Sequence, residues 1–202
     1  MADKKYISSY CSMVNGKISL NGQELFCLES DFSDFAKQAY RHFEIDYAKF
    51  FKMDSLSKLA FLGAELLFKD MVEEYKSDTA LLFANASSSL DTDVKFDQSI
   101  QDQENYYPSP AVFVYTLPNI CLGEISIRHK LYTENSFFIF DAFNPEFFVN
   151  YANILLDNKK AEKVLCGWVE LFKEDYKAFM YLVSNKGTIE YTEQNLQTLY
   201  LK

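Results

Sequence analysis

The sequence contains little positive charge, and it has no stretch rich in lysine or arginine. Its 202 residues include 20 Lys and Arg but 29 Asp and Glu, so the formal net charge is −9. Such a chain repels the phosphate backbone of nucleic acids, and no basic run offsets this repulsion locally. We therefore expect no nucleic-acid partner.

Cysteine and histidine are also scarce, with four and two copies, and there is no Cys-x-x-Cys pair. The residues are Cys11, Cys27, Cys121, Cys166, His42 and His129. Their separation does not match the ligand spacing of a zinc site. We predict neither a metal nor a cofactor, and we expect the four thiols to be small buried hydrophobes in a reducing compartment.

Long apolar runs are missing as well. No run of 18 uncharged apolar residues is present, and the first ten residues, MADKKYISSY, lack the apolar segment of a secretory signal. We expect no membrane association and a cytoplasmic location. The six Gly and four Pro form no phosphate-binding loop and no linker. The length suits one domain, which we place at residues 1–202.

What the sequence does contain is apolar and aromatic area: 49% of residues are hydrophobic, including 14 Tyr and 19 Phe. This is the composition of a globular protein. Within residues 5–28, Asn15-Gly16 and Asn21-Gly22 separate apolar stretches, which predicts a small peripheral three-stranded meander. Apolar residues at helical spacing predict an amphipathic helix at 30–43 and a mostly buried helix with Asp54 as its N-cap.

From residue 54 onward the predicted helices and strands alternate. Residues 79–86, TALLFANA, form a continuous apolar run that is typical of a strand covered on both faces. The polar segment 87–106 predicts a loop with a helical turn or two, and Pro118 is expected to open the next helix. The remaining predicted elements are a strand at 136–140, a helix at 145–157, a strand at 163–169 and a strand pair around 178–192. The alternation predicts an α/β fold with a mostly parallel mixed sheet and helices on both faces.

Four stretches follow one another along the chain: KMDSLSKLA (52–60), SSSLDTD (87–93), PSPAVFVYTLPN (108–119) and GEISIRHKL (123–131). In this order they resemble the N-terminal half of β-ketoacyl synthases, the thiolase-superfamily enzymes that condense acyl chains on acyl carrier protein. The resemblance covers roughly residues 50–170. It implies half of a thiolase-like αβαβα fold, whose complete form contains two similar halves.

In that family the acyl-accepting Cys lies at a helix N-terminus, where the helix dipole and free N–H groups lower the thiol pKa and hold an oxyanion. Counted from Gly123–Arg128, the resemblance places this position at Ala142, so the sulfur is missing. Asn144 and Pro145 remain a suitable N-cap and first helical residue. The family's two catalytic histidines and its lysine come from the second half, beyond the residues matched here.

No other residue offers an evident substitute for the missing groups. Cys121 and Cys166 lie inside a predicted helix and strand, away from any helix N-terminus. We interpret Asp141 as a turn carboxylate, the serines at 87–89 as loop residues, and both histidines as structural or solvent-exposed. The sequence therefore predicts no catalytic residues.

The predicted strand 136–140 and helix 145–157 would expose apolar surface in a half fold. The polar stripe of the helix consists of Glu146, Asn150, Asn153 and Asp157. Either the aromatic face of the helix packs into the sheet of a free-standing domain, or it contacts another chain. The family pairs this strand across a dimer, which implies a homodimer or a heterodimer with a full-length ketosynthase. The candidate interface residues are Ser136, Phe137, Phe138, Ile139, Phe140, Phe147, Phe148 and Tyr151.

The resemblance and the missing Cys together predict a catalytically inactive ketosynthase-like accessory subunit, similar in role to chain-length factors, in fatty-acid, polyketide or polyene-type biosynthesis. An alternative is a non-catalytic module that binds acyl carrier protein or a lipid chain. The acidic composition disfavours docking of an acidic carrier protein. An enzyme with an unrelated site and a folded degenerate fragment are the further alternatives.

Overall fold

The computed structural model describes residues 4–69, 71, 78–102, 104 and 106–202. The strands are β1 (Tyr6–Val14), β2 (Lys17–Leu20), β3 (Gln23–Cys27), β4 (Thr79–Asn85), β5 (Asn135–Ile139), β6 (Lys163–Phe172), β7 (Asp175–Ser184) and β8 (Ile189–Glu190). The helices are α1 (Phe32–His42), α2 (Ser55–Phe68), α3 (Leu90–Ile100), α4 (Pro110–Val114), α5 (Ile120–His129), α6 (Pro145–Asp157) and α7 (Glu193–Tyr200). A 3-10 turn at Ala48–Lys52 precedes α2.

The strands form one sheet in the order β3-β2-β1-β7-β6-β4-β5, and β8 pairs with β1. The predicted mixed sheet with helices on both faces is confirmed, but among the described strands only two of the seven pairings are parallel, so the sheet is not the mostly parallel one that was predicted. Parallel pairing is confined to one side, where β4 lies between β5 and β6. The other pairings are antiparallel. In the case of β6 and β7, only Lys173 and Glu174 separate the two strands, which is too short for the crossover that parallel strands need.

The predicted N-terminal meander is confirmed, with β2 and β3 at the edge of the sheet, but β1 is not peripheral because it lies inside the main sheet beside β7. β1 pairs with β7 along nearly its whole length and buries Ile7, Cys11 and Met13. The two predicted hairpin turns are present, with positive φ angles at Asn15 and Asn21 of 50° and 52°. The sequence pattern predicted the strands, but it carries no local signal for a pairing partner that lies about 170 residues further along the chain.

One face of the sheet is covered by α1, α2 and α5, which bury the larger of two apolar cores. α2 begins as predicted, because the Asp54 side chain accepts a hydrogen bond of 2.9 Å from the N–H of Ser57. At Gly63 a Cβ atom would lie 2.3 Å from the Met180 sulfur, so the missing side chain lets α2 approach β7 closely.

The other face is covered by α6 and α7. Together with the side chains of β4, β6 and β7 that face these helices, they form the second core. α6 has the predicted bounds. α7 was not predicted: Thr192 caps it by accepting from the N–H of Asn195, and Leu196 and Leu199 are buried beneath it. This short C-terminal helix covers part of the apolar surface of α6 within the same chain.

The segment 87–106 contains an α-helix of 11 residues, so the prediction of a loop with a turn or two was wrong. α3 is polar, but local interactions stabilise it. Asp91 and Asp93 lie in its first turn, where the helix dipole favours acidic residues, and Lys95 forms an ion pair with Asp91 one turn away. Residues 103 and 105 of the segment lie outside the described residues. The predicted last strand pair also differs, since β8 pairs with β1 instead of β7.

Candidate functional site

The turn that carries Ala142 joins β5 to α6 at the carboxyl end of the parallel strands. The N–H of Phe140 donates to the carbonyl of Asn85 over 3.0 Å, which holds the turn against the end of β4. Asn144 then caps α6, its side-chain oxygen accepting from the N–H of Phe147 over 3.0 Å, and Pro145 occupies the first turn. The strand–turn–helix geometry predicted for a nucleophile position is therefore present.

Ala142 lies exposed at the edge of a shallow depression of about 740 Å³. The depression is bounded by residues 140–146 and by α7, which contributes Glu193, Gln194 and Gln197. Its charged lining residues are Asp141, Glu146 and Glu193. The N-terminus of α6 would by itself favour an anion, but these three carboxylates oppose the approach of an anionic ligand. The residue at the turn itself supplies only a methyl group.

Among the strands that the structure describes, β5 is the outermost on this side of the sheet. Its backbone groups alternate in direction: the carbonyl of Glu134 and the N–H of Phe140 both bond to β4. The N–H and C=O groups of residues 135, 137 and 139 therefore point to the open edge. Ile139 is 49% exposed beside this edge. The strand can accept a further strand through its backbone.

The candidate interface side chains divide into three groups. Phe137 packs against the core below α2 and α5. Phe138, Phe140, Phe147 and Tyr151 form a partly buried cluster, with ring centroids of Phe138 and Phe147 4.7 Å apart and the Ser136 hydroxyl 3.5 Å from that of Tyr151. Phe148 is fully buried near Tyr181, so its assignment to an interface was wrong. α6 turns this residue towards the sheet, and the exposed apolar residue on α6 is Ile154.

Several solved structures have the same architecture as this chain, although no protein-family model and no curated protein matches the sequence. One is the ishigamide ketosynthase/chain length factor, with a TM-score of 0.67, 17% identity, and coverage of 90% of this chain and 62% of that chain. The chain has a ketosynthase-like, thiolase-type fold. It thus spans about three fifths of the length of that ketosynthase-type relative.

Two further structures with this fold are assemblies. A chain of the ketosynthase (ApeO) in complex with its chain length factor (ApeC) from Xenorhabdus doucetiae gives a TM-score of 0.62 at 15% identity, covering 98% of this chain and 90% of that chain. The AntDE:AntF complex, a type II acyl carrier protein with its ketosynthase, gives 0.63 at 11% identity, with coverage of 98% and 65%. The ApeO–ApeC match therefore involves a chain of comparable length.

The four cysteines of this chain lie away from the Ala142 turn. Burial raises the pKa of Cys11 and of Cys166 to about 12 and raises that of Cys121 well above its ordinary value. A thiol with such a pKa is not a nucleophile at neutral pH. Cys27 is exposed, so the expectation that all four thiols are buried was wrong. It lies at the end of β3, the other edge of the sheet, where only one neighbouring strand covers it.

Both histidines have structural surroundings. His129 is nearly buried, with Nε2 2.9 Å from Oε1 of Glu65, and Arg128 donates two hydrogen bonds of 2.9 and 3.2 Å to the same carboxylate. Burial would raise the pKa of Glu65, but its contacts with His129 and Arg128 outweigh burial and hold the pKa below its ordinary value. His42 is exposed and packs beside Phe26. Neither histidine lines the depression at Ala142.

The serine run at 87–89 is tied into the loop after β4, as predicted. Asn85, which is fully buried, binds Ser88 twice, donating to its carbonyl and accepting from its N–H. Glu170 accepts from the N–H groups of Ala86 and Ser87 over 2.6 and 3.3 Å. Sequence analysis missed both organising residues. For Glu170 a signal was available, because it is an acidic residue inside the long apolar strand β6 and its carboxylate requires a hydrogen-bond donor there.

Within the described ranges there is no group of three or more His, Cys, Asp or Glu residues arranged to hold a metal ion. The helices that the structure describes are all too short or too polar to cross a membrane.

Proposed function

We propose that this chain is a catalytically inactive, ketosynthase-like accessory subunit that pairs with a full-length ketosynthase in polyketide- or polyene-type chain assembly. One observation carries the proposal: the chain is similar over 98% of its length to 90% of a chain from a ketosynthase–chain length factor complex. A fold of this size therefore occurs inside such an assembly. Its partner would supply the nucleophilic thiol and the general acid–base groups.

The Ala142 turn supports the inactive role. Condensation by the family's mechanism requires a thiol at this helix N-terminus, and the side chain there is a methyl group. The nearest charged groups, Asp141, Glu146 and Glu193, are acidic and would repel a carboxylated extender unit. The described structure places the buried cysteines elsewhere, in forms that resist ionisation.

The open edge of β5 supports the pairing. An edge strand with unpaired backbone groups and apolar neighbours favours strand addition from another chain. Ile139 supplies an outward N–H group and a half-exposed side chain, and Ile154 on α6 is 55% exposed. We expect the partner's equivalent strand to pair antiparallel with β5 about a pseudo-twofold axis.

Co-expression with a ketosynthase from the same cell tests the pairing. We expect the two chains to elute together in equimolar amounts, and Ile139→Pro to abolish the complex because proline removes the edge donor without touching a bond to β4. Ile139→Thr is the matched control, since it shortens the side chain but keeps the N–H group. Loss of the complex with both variants, or with neither, would contradict strand pairing.

A product assay tests whether the ketosynthase carries the catalytic groups while this chain has an accessory role. The complex carrying Ala142→Gly should retain the condensation activity of the unchanged complex, whereas replacing the partner's nucleophilic Cys should abolish it. The ketosynthase alone should lose activity or change the length of its product. If the ketosynthase makes the same product at the same rate without this chain, the accessory role is wrong.

A further inference from the structure

A second and larger cavity, of about 980 Å³, opens at the opposite end of the sheet from the Ala142 turn. It lies where β4 and β6 begin and β7 ends, and both apolar cores reach it. Its volume is within the range of pockets that hold small ligands. None of its lining residues belongs to the depression at Ala142 or to the open edge of β5.

The apolar part of the lining, here called the leucine floor, comes from three elements and from both faces of the sheet at this end. Leu66 and Leu67 come from the last turn of α2, Leu156 from α6 and Leu182 from β7, and each of these is less than a tenth exposed. The remaining apolar lining residues are Leu20, Met71 and Ala161. A hydrocarbon chain inserted here would be removed from water against aliphatic side chains.

The exposed lining of the cavity, here called its rim, is mainly basic among the residues that the structure describes. These residues include Lys159, Lys160, Lys163 and Lys186, against the acidic Asp78 and Glu162. Among the described lining residues the balance is thus positive, although the whole chain carries −9. Lys160 has a contact of 4.0 Å with Glu134, too long for a strong ion pair. Serine and asparagine side chains complete the polar rim: Ser8, Ser9, Asn21, Ser184 and Asn185.

We propose that this cavity, named here the lysine-rimmed cavity, binds an amphipathic anion: a carboxylate or phosphate head group held by the lysines, with an apolar tail against the leucine floor. Lysines suit this role because their ammonium groups reach a head group at the rim while their stems extend the apolar wall. The inference does not depend on the subunit pairing, because it uses a different end of the molecule.

Titration of the isotope-labelled chain with decanoate, below its micelle concentration, tests the proposal. We expect saturable shifts in the amide signals of the leucine floor and the lysine rim. Decanol should bind more weakly because it lacks the charge, and acetate more weakly because it lacks the tail. Decyl phosphate separates the sources: tighter binding than decanoate indicates a phosphoester ligand, and the reverse indicates a free fatty acid.

The double variant Lys160→Gln/Lys186→Gln should weaken decanoate binding by about fivefold to tenfold, as expected for two partly exposed ionic contacts. The control is Lys37→Gln/Lys52→Gln, which removes the same charge from exposed residues outside the cavity. Equal loss of affinity in both variants, equal affinity for decanol and decanoate, or shifts centred away from the cavity would overturn the proposal.

Discussion

At the scale of single residues, the surroundings of each thiol decide its reactivity. Cys11, Cys121 and Cys166 are buried with raised pKa values, whereas Cys27 is exposed on β3. We expect iodoacetamide at mildly alkaline pH to add one group to the native chain, and Cys27→Ser to prevent it. Intact-mass measurement provides the count, with four additions in denaturant as the reference. Rapid labelling of Cys121 or Cys166 in the native chain would contradict their burial.

The Glu65 carboxylate links α2 to α5 through Arg128 and His129, and this contact has a predictable pH dependence. The pKa of Glu65 is lowered in the folded chain, so its contribution is present above the unfolded value of about 4.3 and is lost as the pH falls through the lower folded value. We expect Glu65→Gln to reduce the free energy of unfolding by about 1–2 kcal/mol at pH 7, since hydrogen bonds to charged partners are lost.

Urea titrations at pH 7 and at an acid pH below the folded pKa of Glu65 measure this difference. The two chains should converge at the acid pH, because protonation removes the same charge that the substitution removes. Glu29→Gln, at an exposed position on the loop before α1, should change stability by less than about 0.5 kcal/mol at either pH. A deficit that is the same at both pH values would assign Glu65 a packing role instead of an electrostatic one.

At the scale of elements, α7 is the unexpected part of the fold. It lies across α6 and closes the second core, and Tyr200 at its end stacks on Phe143 with ring centroids 4.2 Å apart. The ammonium group of Lys177 lies 3.6 Å from the centroid of the Tyr200 ring. The helix thus joins the turn after β5 to the body of the sheet, and its removal would expose both α6 and that turn.

Substitutions of Leu196 and Leu201 distinguish the contribution of core packing from that of helix formation in α7. Leu196 is fully buried, so Leu196→Ala should reduce the free energy of unfolding by about 2–4 kcal/mol through lost burial and a residual cavity. Leu201 is 71% exposed at the end of the same helix, so Leu201→Ala should cost less than about 0.5 kcal/mol. Chemical denaturation of the isolated chain measures both. Similar effects of the two substitutions would mean that α7 does not seal the core.

The elements that sequence analysis predicted well are those with strong periodicity and caps. α2 follows Asp54, and α6 runs from Pro145 to Asp157, because cap and apolar spacing agree locally. The errors arise where tertiary contacts decide. β1 joined the central sheet through β7, and Phe148 turned inward. α7 had a visible signal, a Thr192 cap before apolar residues at helical spacing, but its eight residues gave little periodicity to detect.

At the scale of the whole molecule, the described residues form two apolar cores, and the sheet ends at β5 on one side and at β3 on the other. α1, α2 and α5 cover one face of the sheet, and α6 and α7 cover the other. We therefore expect the isolated chain to unfold in one cooperative transition without binding hydrophobic dyes beforehand. Most of the apolar face of α6, including Phe148, thus packs against the sheet of its own domain. An exposed apolar surface remains at β5 and at Ile154.

That open surface leads to the last prediction, which concerns the isolated chain. Two copies of the chain can satisfy the outward N–H and C=O groups of residues 137 and 139 by pairing β5 with β5, antiparallel about a twofold axis. We expect sedimentation velocity to show a concentration-dependent dimer at micromolar concentration, and Ile139→Pro to leave a monomer with unchanged urea midpoint. Because the chain carries −9, the dimer should also tighten as salt screens the repulsion between copies. A wild-type monomer at all salt concentrations would refute self-pairing.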